Sequence, residues 1–269
     1  MIFQVARGCP HNTCRFCAMY KGVRYRVRPE GEVLAEMAAE GARQPDVRRI
    51  FLADGDVMAL PYKRLRAMLE ALNRAFPLLS RVNLYANGSS IQAKSDAELE
   101  DLRRLKLSTL YVGLETGDDD LLRALDKRET AAGMTTAVQR AQSAGLRCSV
   151  MVLLGLGGSE GSERHADRTA VVLNRMQPRL LSALRFVDVP GTAMPAGFKP
   201  VSEHGVIVEM IRMLRGLELE KTVFRANHTS NPIPLEGRLP RDRDALVAGL
   251  EALLPGLDRV GPGDLPMFL

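Results

Sequence analysis

What most constrains the fold of this chain is a rhythm: short β-branched or apolar runs alternate with longer amphipathic stretches. The strand-like runs are residues 2–6, 49–52, 81–85, 109–113, 147–154, 183–189 and 222–225. The stretches at 29–43, 62–75, 96–106, 130–144, 161–176 and 202–220 carry helical spacing instead. Ser95-Asp96 and Asp118-Asp119 read as helix starts, and Gly145 as a helix stop. Strand–helix alternation at this spacing predicts an α/β fold with a parallel sheet and helical crossovers, open or curled into a partial barrel. After Arg225 the rhythm fails. "ANHTSNPIPLEGRLPRDRDALV" is rich in turn formers and leads into one short helix and a Pro/Gly-rich tail. The expected organisation is therefore a core over 1–225 and a C-terminal extension over 226–269 that packs on it.

Function in such folds gathers in the loops at the carboxyl ends of the strands. The polar and glycine-rich clusters fall there in series: "GCPHNTCRFC", "ADGD", "ANGSS", "LETGDDD", "GLGG", "VPGT" and "NHTSN". Charge adds a mild bias. With 37 Lys and Arg against 32 Asp and Glu the formal charge is +5, which tilts the partner towards anions such as carboxylates, phosphates or nucleic acid; a small anionic molecule is the expected substrate. There is no Trp and no long basic block, so nucleic acid is not required. No apolar run approaches a membrane span, and "MIFQVARGCP" lacks the features of a secretory leader, so a cytoplasmic location is expected.

The first loop holds Cys9, Cys14 and Cys17, three of the four cysteines in the chain. In a reducing compartment such clustering points to metal or redox chemistry rather than to a disulfide framework. Three thiolates at C-x4-C-x2-C can hold three irons of a cubane cluster and leave the fourth iron open. Zinc is the competing reading, with His11 completing a Cys3His set. Structural zinc usually joins two separated knuckles, whereas these candidates share one loop. Cys148, inside an apolar strand, reads as a small core residue.

The loop, with Phe16 directly before its last cysteine, resembles the cluster loop of the radical S-adenosylmethionine (radical SAM) enzymes. Their usual spacing is C-x3-C-x2-C, so this chain has one residue more. The other loops are similar in order. "LADGDVMALP" resembles the second-strand loop that receives the methionyl amino group, with Asp54, Gly55 and Asp56 in the positions usually held by Gly-Gly-Glu. "YVGLETGDDDLLRALDKRET" is similar to the fourth-strand region of the branch containing the oxygen-independent coproporphyrinogen enzymes and the methylthiotransferases. "MVLLGLGG" resembles the fifth-strand segment beside the adenine. The resemblance spans about residues 2–225.

It implies a partial (β/α)6 barrel with a short C-terminal extension, a [4Fe–4S] cluster on Cys9, Cys14 and Cys17, and SAM as co-substrate. It implies reductive cleavage of SAM to a 5′-deoxyadenosyl radical, which abstracts hydrogen from the substrate. The electron would come from a donor such as flavodoxin or ferredoxin. Cofactor contacts are expected from Phe16, Asp54, Gly55, Asp56, Asn87, Ser89, Glu115, Lys127, Val152 and Val189, with Lys127 on the SAM carboxylate and Arg123 or Arg128 as its substitutes. Arg225, Asn227, His228, Ser230 and Asn231 are expected to hold the substrate. For the asparagine–serine cluster the plain alternative is an internal turn network. With four cysteines there is no second three-cysteine cluster, which disfavours a methylthiotransferase, and little precedes the first strand that could hold a cobalamin domain. The competing function is a zinc-bearing nucleic-acid-binding module without catalysis.

Overall fold

A computed structural model describes residues 1–257. Along the chain run β1 (Ile2–Gln4), β2 (Ala6–Arg7), β3 (Arg26–Val27), α1 (Glu30–Arg43), β4 (Arg49–Ala53), α2 (Tyr62–Ala75), β5 (Arg81–Ala86), α3 (Gly88–Gln92), α4 (Asp96–Arg104) and β6 (Leu107–Glu115). Then follow α5 (Asp119–Ala124), α6 (Ala131–Ser143), β7 (Arg147–Leu154), α7 (Gly158–Met176), β8 (Leu180–Arg185), α8 (Glu203–Gly216), β9 (Thr222–Arg225), β10 (Glu236–Leu239) and α9 (Arg243–Leu253). Strands pair in the order β1-β4-β5-β6-β7-β8-β9-β10, and β2 pairs with β3 in a separate ribbon. The expected α/β class with a parallel sheet is borne out; β10, antiparallel to β9, is the exception.

The chain divides into two compact units. The first takes 1–12, 19–112 and 136–148; the second takes 13–18, 113–135 and the chain from 149. Residues 226–257 therefore cluster with β8 and β9, and residues 258–269 of the expected extension lie outside the described residues.

In the first unit the strands alternate sharply. Ile50 and Leu52 of β4 and Val82, Leu84 and Ala86 of β5 are buried, while Phe51, Asn83 and Tyr85 are only partly covered. The buried set belongs with the apolar faces of the helices: the Phe3 ring meets Phe76, at the end of α2, edge-on at 6.1 Å. Helices α1 and α2 approach closely because Gly41 lacks a side chain; a Cβ there would lie 2.7 Å from that of Ala75. The start of α4 is a reciprocal cap, in which Ser95 Oγ accepts the Glu98 amide and Glu98 accepts the Ser95 amide. Gly145 ends α6 at φ 82°, as its sequence position predicts.

In the second unit α7, α8 and α9 pack in succession, and Leu246, Val247 and Leu250 of α9 are buried. The sixth long strand begins and ends earlier than the run 183–189 suggests: β8 covers Leu180–Arg185, and Val189 lies in the loop closed by Pro190. Among the described residues, no helix is long and apolar enough to cross a membrane.

Candidate active site

Within the first unit, β4 delivers a turn that grips the start of the cysteine loop. Asp54 sits at φ 96°, and its carboxylate accepts the Gly8 amide at 3.0 Å, Gln4 Nε2 at 3.1 Å and the Tyr20 hydroxyl at 3.2 Å. The Gly55 amide returns a bond to the Gly8 carbonyl at 3.3 Å. Burial first, and then the Asp54 carboxylate, pushes the Tyr20 pKa up, so Tyr20 stays a donor. Gly55 has no room for a side chain, because a Cβ there would stand 2.7 Å from Cys9 Cα. Asp54 thus has both oxygens engaged in holding the loop.

Asp56 is a buried acceptor with three donors around it. His11 Nε2 lies at 3.1 Å and Asn87 Nδ2 at 3.3 Å from Oδ2, while Ser90 Oγ donates to Oδ1 at 2.9 Å. Hydrogen bonds to a buried carboxylate contribute about 1.5–3 kcal/mol each, so this hub is a strong local constraint. It fixes Asn87, which caps α3 through a reciprocal box with Ser90. Ser89, on the first turn of α3, is exposed. Close by, Lys94 is buried and donates to the Met58 carbonyl at 2.9 Å; burial lowers its pKa. His11, weighed above as a zinc ligand, is engaged by Asp56.

Within the second unit, residues 13–18 rest on the end of α5. The Arg15 amide donates to the Leu125 carbonyl at 2.8 Å, and Thr13 Oγ1 to that of Asp126 at 3.1 Å. The "VPGT" turn closes on the same segment: the Ala193 amide donates to the Arg15 carbonyl at 2.7 Å, and a Cβ on Gly191 would touch Ala18 at 3.3 Å. The Val189 carbonyl is spent on that turn, accepting the amide and hydroxyl of Thr192. Phe16 is half-buried in the loop, and the Cys17 amide donates to the Cys14 carbonyl at 3.3 Å.

Beside this segment stands a buried ion pair. Glu115, at the end of β6, has φ 64°, and Lys127 Nζ lies 3.0 Å from its Oε1 and 2.5 Å from the Gly113 carbonyl. Burial alone would depress the Lys127 ammonium. The charges of Glu115, Cys14 and Glu129 more than offset it, and its pKa lies above the ordinary lysine value. Gly113 has no side chain to spare: a Cβ would lie 3.3 Å from Lys127 Nζ and closer still to Glu115. Lys127→Met would leave Glu115 without its cation. We expect it to lose about 3 kcal/mol of stability in urea denaturation, and Glu115→Gln, which leaves the buried Lys127 ammonium without its counter-charge, to lose a comparable amount.

Val152 is fully enclosed, on the same parity as the buried Val150 and Leu154; the partly open positions of β7 are Met151 and Leu153. Around the GLGG loop the sequence reading missed a buried pair. Glu209 accepts the Gly155 amide at 2.6 Å and the Ser162 hydroxyl, and it lies 3.5 Å from His165, whose Nδ1 meets Thr116 Oγ1 at 2.7 Å. Helical spacing could have marked it: Glu209 lies three residues after Val206 and four before Met213, both buried on the inner face of α8.

The proposed substrate residues form a turn of their own. His228 Nδ1 accepts the Ser230 amide at 3.1 Å and faces Ser230 Oγ at 2.9 Å, while the Asn231 amide donates to the His228 carbonyl. Asn227 and His228 are exposed, and Arg225 lies 3.8 Å from Glu236. Asn231 Nδ2 donates to the Ala183 carbonyl at 2.9 Å; its Oδ1 is buried and unpaired.

None of the cysteines is in a disulfide. Among the described residues, no three side chains of His, Cys, Asp or Glu stand together at metal-ligating separation. Thiols gain nothing by meeting before a metal arrives, and ligand convergence is part of the binding free energy. Their chemistry fits an iron–sulfur cluster: three thiols lie within nine residues, Cys9 against the bare Cα of Gly55, and Cys14 within the field of Lys127.

The chain is 26% identical over 147 residues to the heme chaperone HemW of Bacillus subtilis, an alignment covering 54% of this chain and 38% of that protein. An uncharacterised protein of Methanopyrus kandleri is 28% identical over 200 residues, covering 66% of this chain and 36% of its own length. The chain thus spans under half the length of the curated relatives it matches. Among solved structures, the radical S-adenosylmethionine methyltransferase TsrM of Kitasatospora setae superposes with a TM-score of 0.60 at 16% identity, covering 94% of this chain and 51% of that one. At that identity the likeness concerns the fold alone. The sequence pattern of the Radical SAM superfamily matches residues 3–168, more than half of the chain. The chain belongs to the radical SAM superfamily of enzymes, whose members use a [4Fe–4S] cluster and S-adenosylmethionine.

Proposed function

We propose that Cys9, Cys14 and Cys17 are the three protein ligands of a [4Fe–4S] cluster and that the chain abstracts hydrogen from a small anionic substrate. When bound, the cluster supplies one electron to SAM, releasing methionine and a 5′-deoxyadenosyl radical; the donor is of the flavodoxin or ferredoxin type. The observation that carries this reading is the Lys127–Glu115 pair beside Cys14, which sets a buried cation and carboxylate at the edge of the cysteine loop. Lys127 would attract the SAM carboxylate, and Glu115 the cationic or hydroxyl parts of the molecule. Asp56 acts indirectly, by presenting Asn87 and His11 from the second-strand loop. Asp54 and Gly55 keep the loop in place.

The zinc-module reading finds less support. His11 is engaged by Asp56, and the family match runs across the strands and helices rather than the loop alone.

The test is uncoupled cleavage. Anaerobically reconstituted protein given dithionite and SAM should release 5′-deoxyadenosine and methionine in equal amounts. Glu115→Ala and Asp56→Ala should each weaken SAM binding about tenfold while retaining iron, the scale of one lost charge-assisted contact. Unchanged SAM affinity in both variants would refute this placement of the site.

The described part of the extension, residues 226–257, is proposed to close the site, with His228 and Asn231 holding substrate through the unpaired Asn231 Oδ1. His228→Ala is then expected to spare uncoupled SAM cleavage and to abolish substrate turnover. Full turnover by this variant would remove His228 from the substrate site.

A further inference from the structure

The open face of the first unit's sheet carries a second set of groups. Phe51 of β4, Tyr85 of β5 and Tyr111 of β6 form an edge-to-face triad, with ring centroids 4.9 Å, 5.4 Å and 6.0 Å apart. Their placement follows from register. Tyr85 pairs with Tyr111, and Phe51 pairs with Asn83, two residues before Tyr85, so all three rings project from one face. The opposite face carries Ile50, Leu52, Val82 and Leu84, all fully buried. The triad is not sealed, because Tyr85 remains 38% exposed. In a chain with five tyrosines, eight phenylalanines and no tryptophan, three rings meeting on a face open to solvent is a concentrated investment.

Below the rings on the same face stand two arginines. Arg49 and Arg81 are register partners, two and four residues before Phe51 and Tyr85. Like charges directly opposite one another on a sheet repel, and the Arg81 Nε is buried without a hydrogen-bond partner. A guanidinium pair of this kind is relieved by one bridging anion. At about 3.3 Å per residue, Arg49 lies roughly 7 Å along the strand from Phe51. Above the rings, β4 and β5 run directly into Asp54–Asp56 and Asn87.

We propose that this face binds a planar, conjugated ring bearing an anionic group, with the ring on Phe51, Tyr85 and Tyr111 and the anion on Arg49 and Arg81. The assignment rests on the radical SAM reading, for which it names the substrate class. Charge complementarity selects the occupant: an uncharged apolar molecule would leave the arginine pair unrelieved, and an aliphatic anion would forgo the ring faces.

The experiment uses the reconstituted protein and three probes: 2-naphthoate, its fully saturated decalin counterpart, and the uncharged 2-naphthalenemethanol. Equilibrium dialysis should show 2-naphthoate binding about tenfold more tightly than either of the others, the scale of one or two aromatic contacts or one anion contact. Tyr85→Leu should erase the preference for the flat ring, and Arg81→Gln the preference for the carboxylate. Both variants should retain native uncoupled SAM cleavage. Equal binding of flat and saturated carboxylates, or native binding by both variants, would overturn the proposal. Should Tyr85→Leu not fold, Tyr111→Leu takes its place with the same expectation. Failure of the underlying reading is distinguishable, because it appears as absent SAM cleavage in the native protein whatever the probes do.

Discussion

Cys9→Ala, Cys14→Ala and Cys17→Ala are each expected to leave the reconstituted protein colourless, with less than about one iron per chain against about four in the native protein. The reason is the coordination count. Three thiolates hold three irons, and a cube with two protein ligands exposes a second iron to solvent and is lost on desalting. Cys148→Ala supplies the contrast. Cys148 is completely buried in β7, its thiol pKa is pushed up to about 12 by that burial, and its Sγ lies 4.0 Å from the Val138 carbonyl. A thiol so placed is a poor ligand and a good filler. Its truncation should cost about 1 kcal/mol of stability and no iron. Iron and sulfide assays on the four variants read this directly. A native iron content in Cys9→Ala with loss in Cys148→Ala would reverse the ligand assignment.

Gly55→Ala is expected to match the cysteine variants in iron content while carrying every ligand. Its methyl group would meet the backbone at Cys9 Cα, 2.7 Å away, and not a side-chain tip that could swing aside. The Gly55 amide is bonded to the Gly8 carbonyl, so the turn cannot retreat without surrendering that bond and loosening the Asp54 grip on the Gly8 amide. The displaced partner is therefore the loop. Gly31→Ala and Gly161→Ala, where nothing lies within 4 Å of the new Cβ, should keep native iron and serve as controls. A Gly55→Ala protein with about four irons per chain would show that Cys9 reaches the cluster from a different backbone position.

Much of the fold was legible in the pattern of apolar residues. The segments 62–75 and 222–225 match α2 and β9 in both bounds, and 147–154 matches β7. Each is long enough, or uniform enough, for its period to stand out from its neighbours. What escaped was short. Helix α3, of five residues, spans too few turns to display a period; α5, of six, was marked only by its start at Asp118-Asp119; and β10, "EGRL", has no β-branched residue. In β8 the apolar run continued past the strand, and only the bridge at Pro190 and Thr192 shows where it had turned away.

The candidate site divides along similar lines. Cysteine spacing, the order of the polar loops and the presence of Glu115 and Lys127 could be read directly from the residues. The sequence by itself determined which chemical groups are available and at which strand end each arrives, because strand–helix alternation orders the loops. Only the tertiary structure decided how those groups are spent. Asp54 holds Gly8, Asp56 gathers His11, Asn87 and Ser90, and Lys127 pairs with Glu115. Such partnerships join residues far apart in the chain. A carboxylate reads the same in sequence whether it meets solvent, an amide or an ammonium, and burial is what settles which of these it must find.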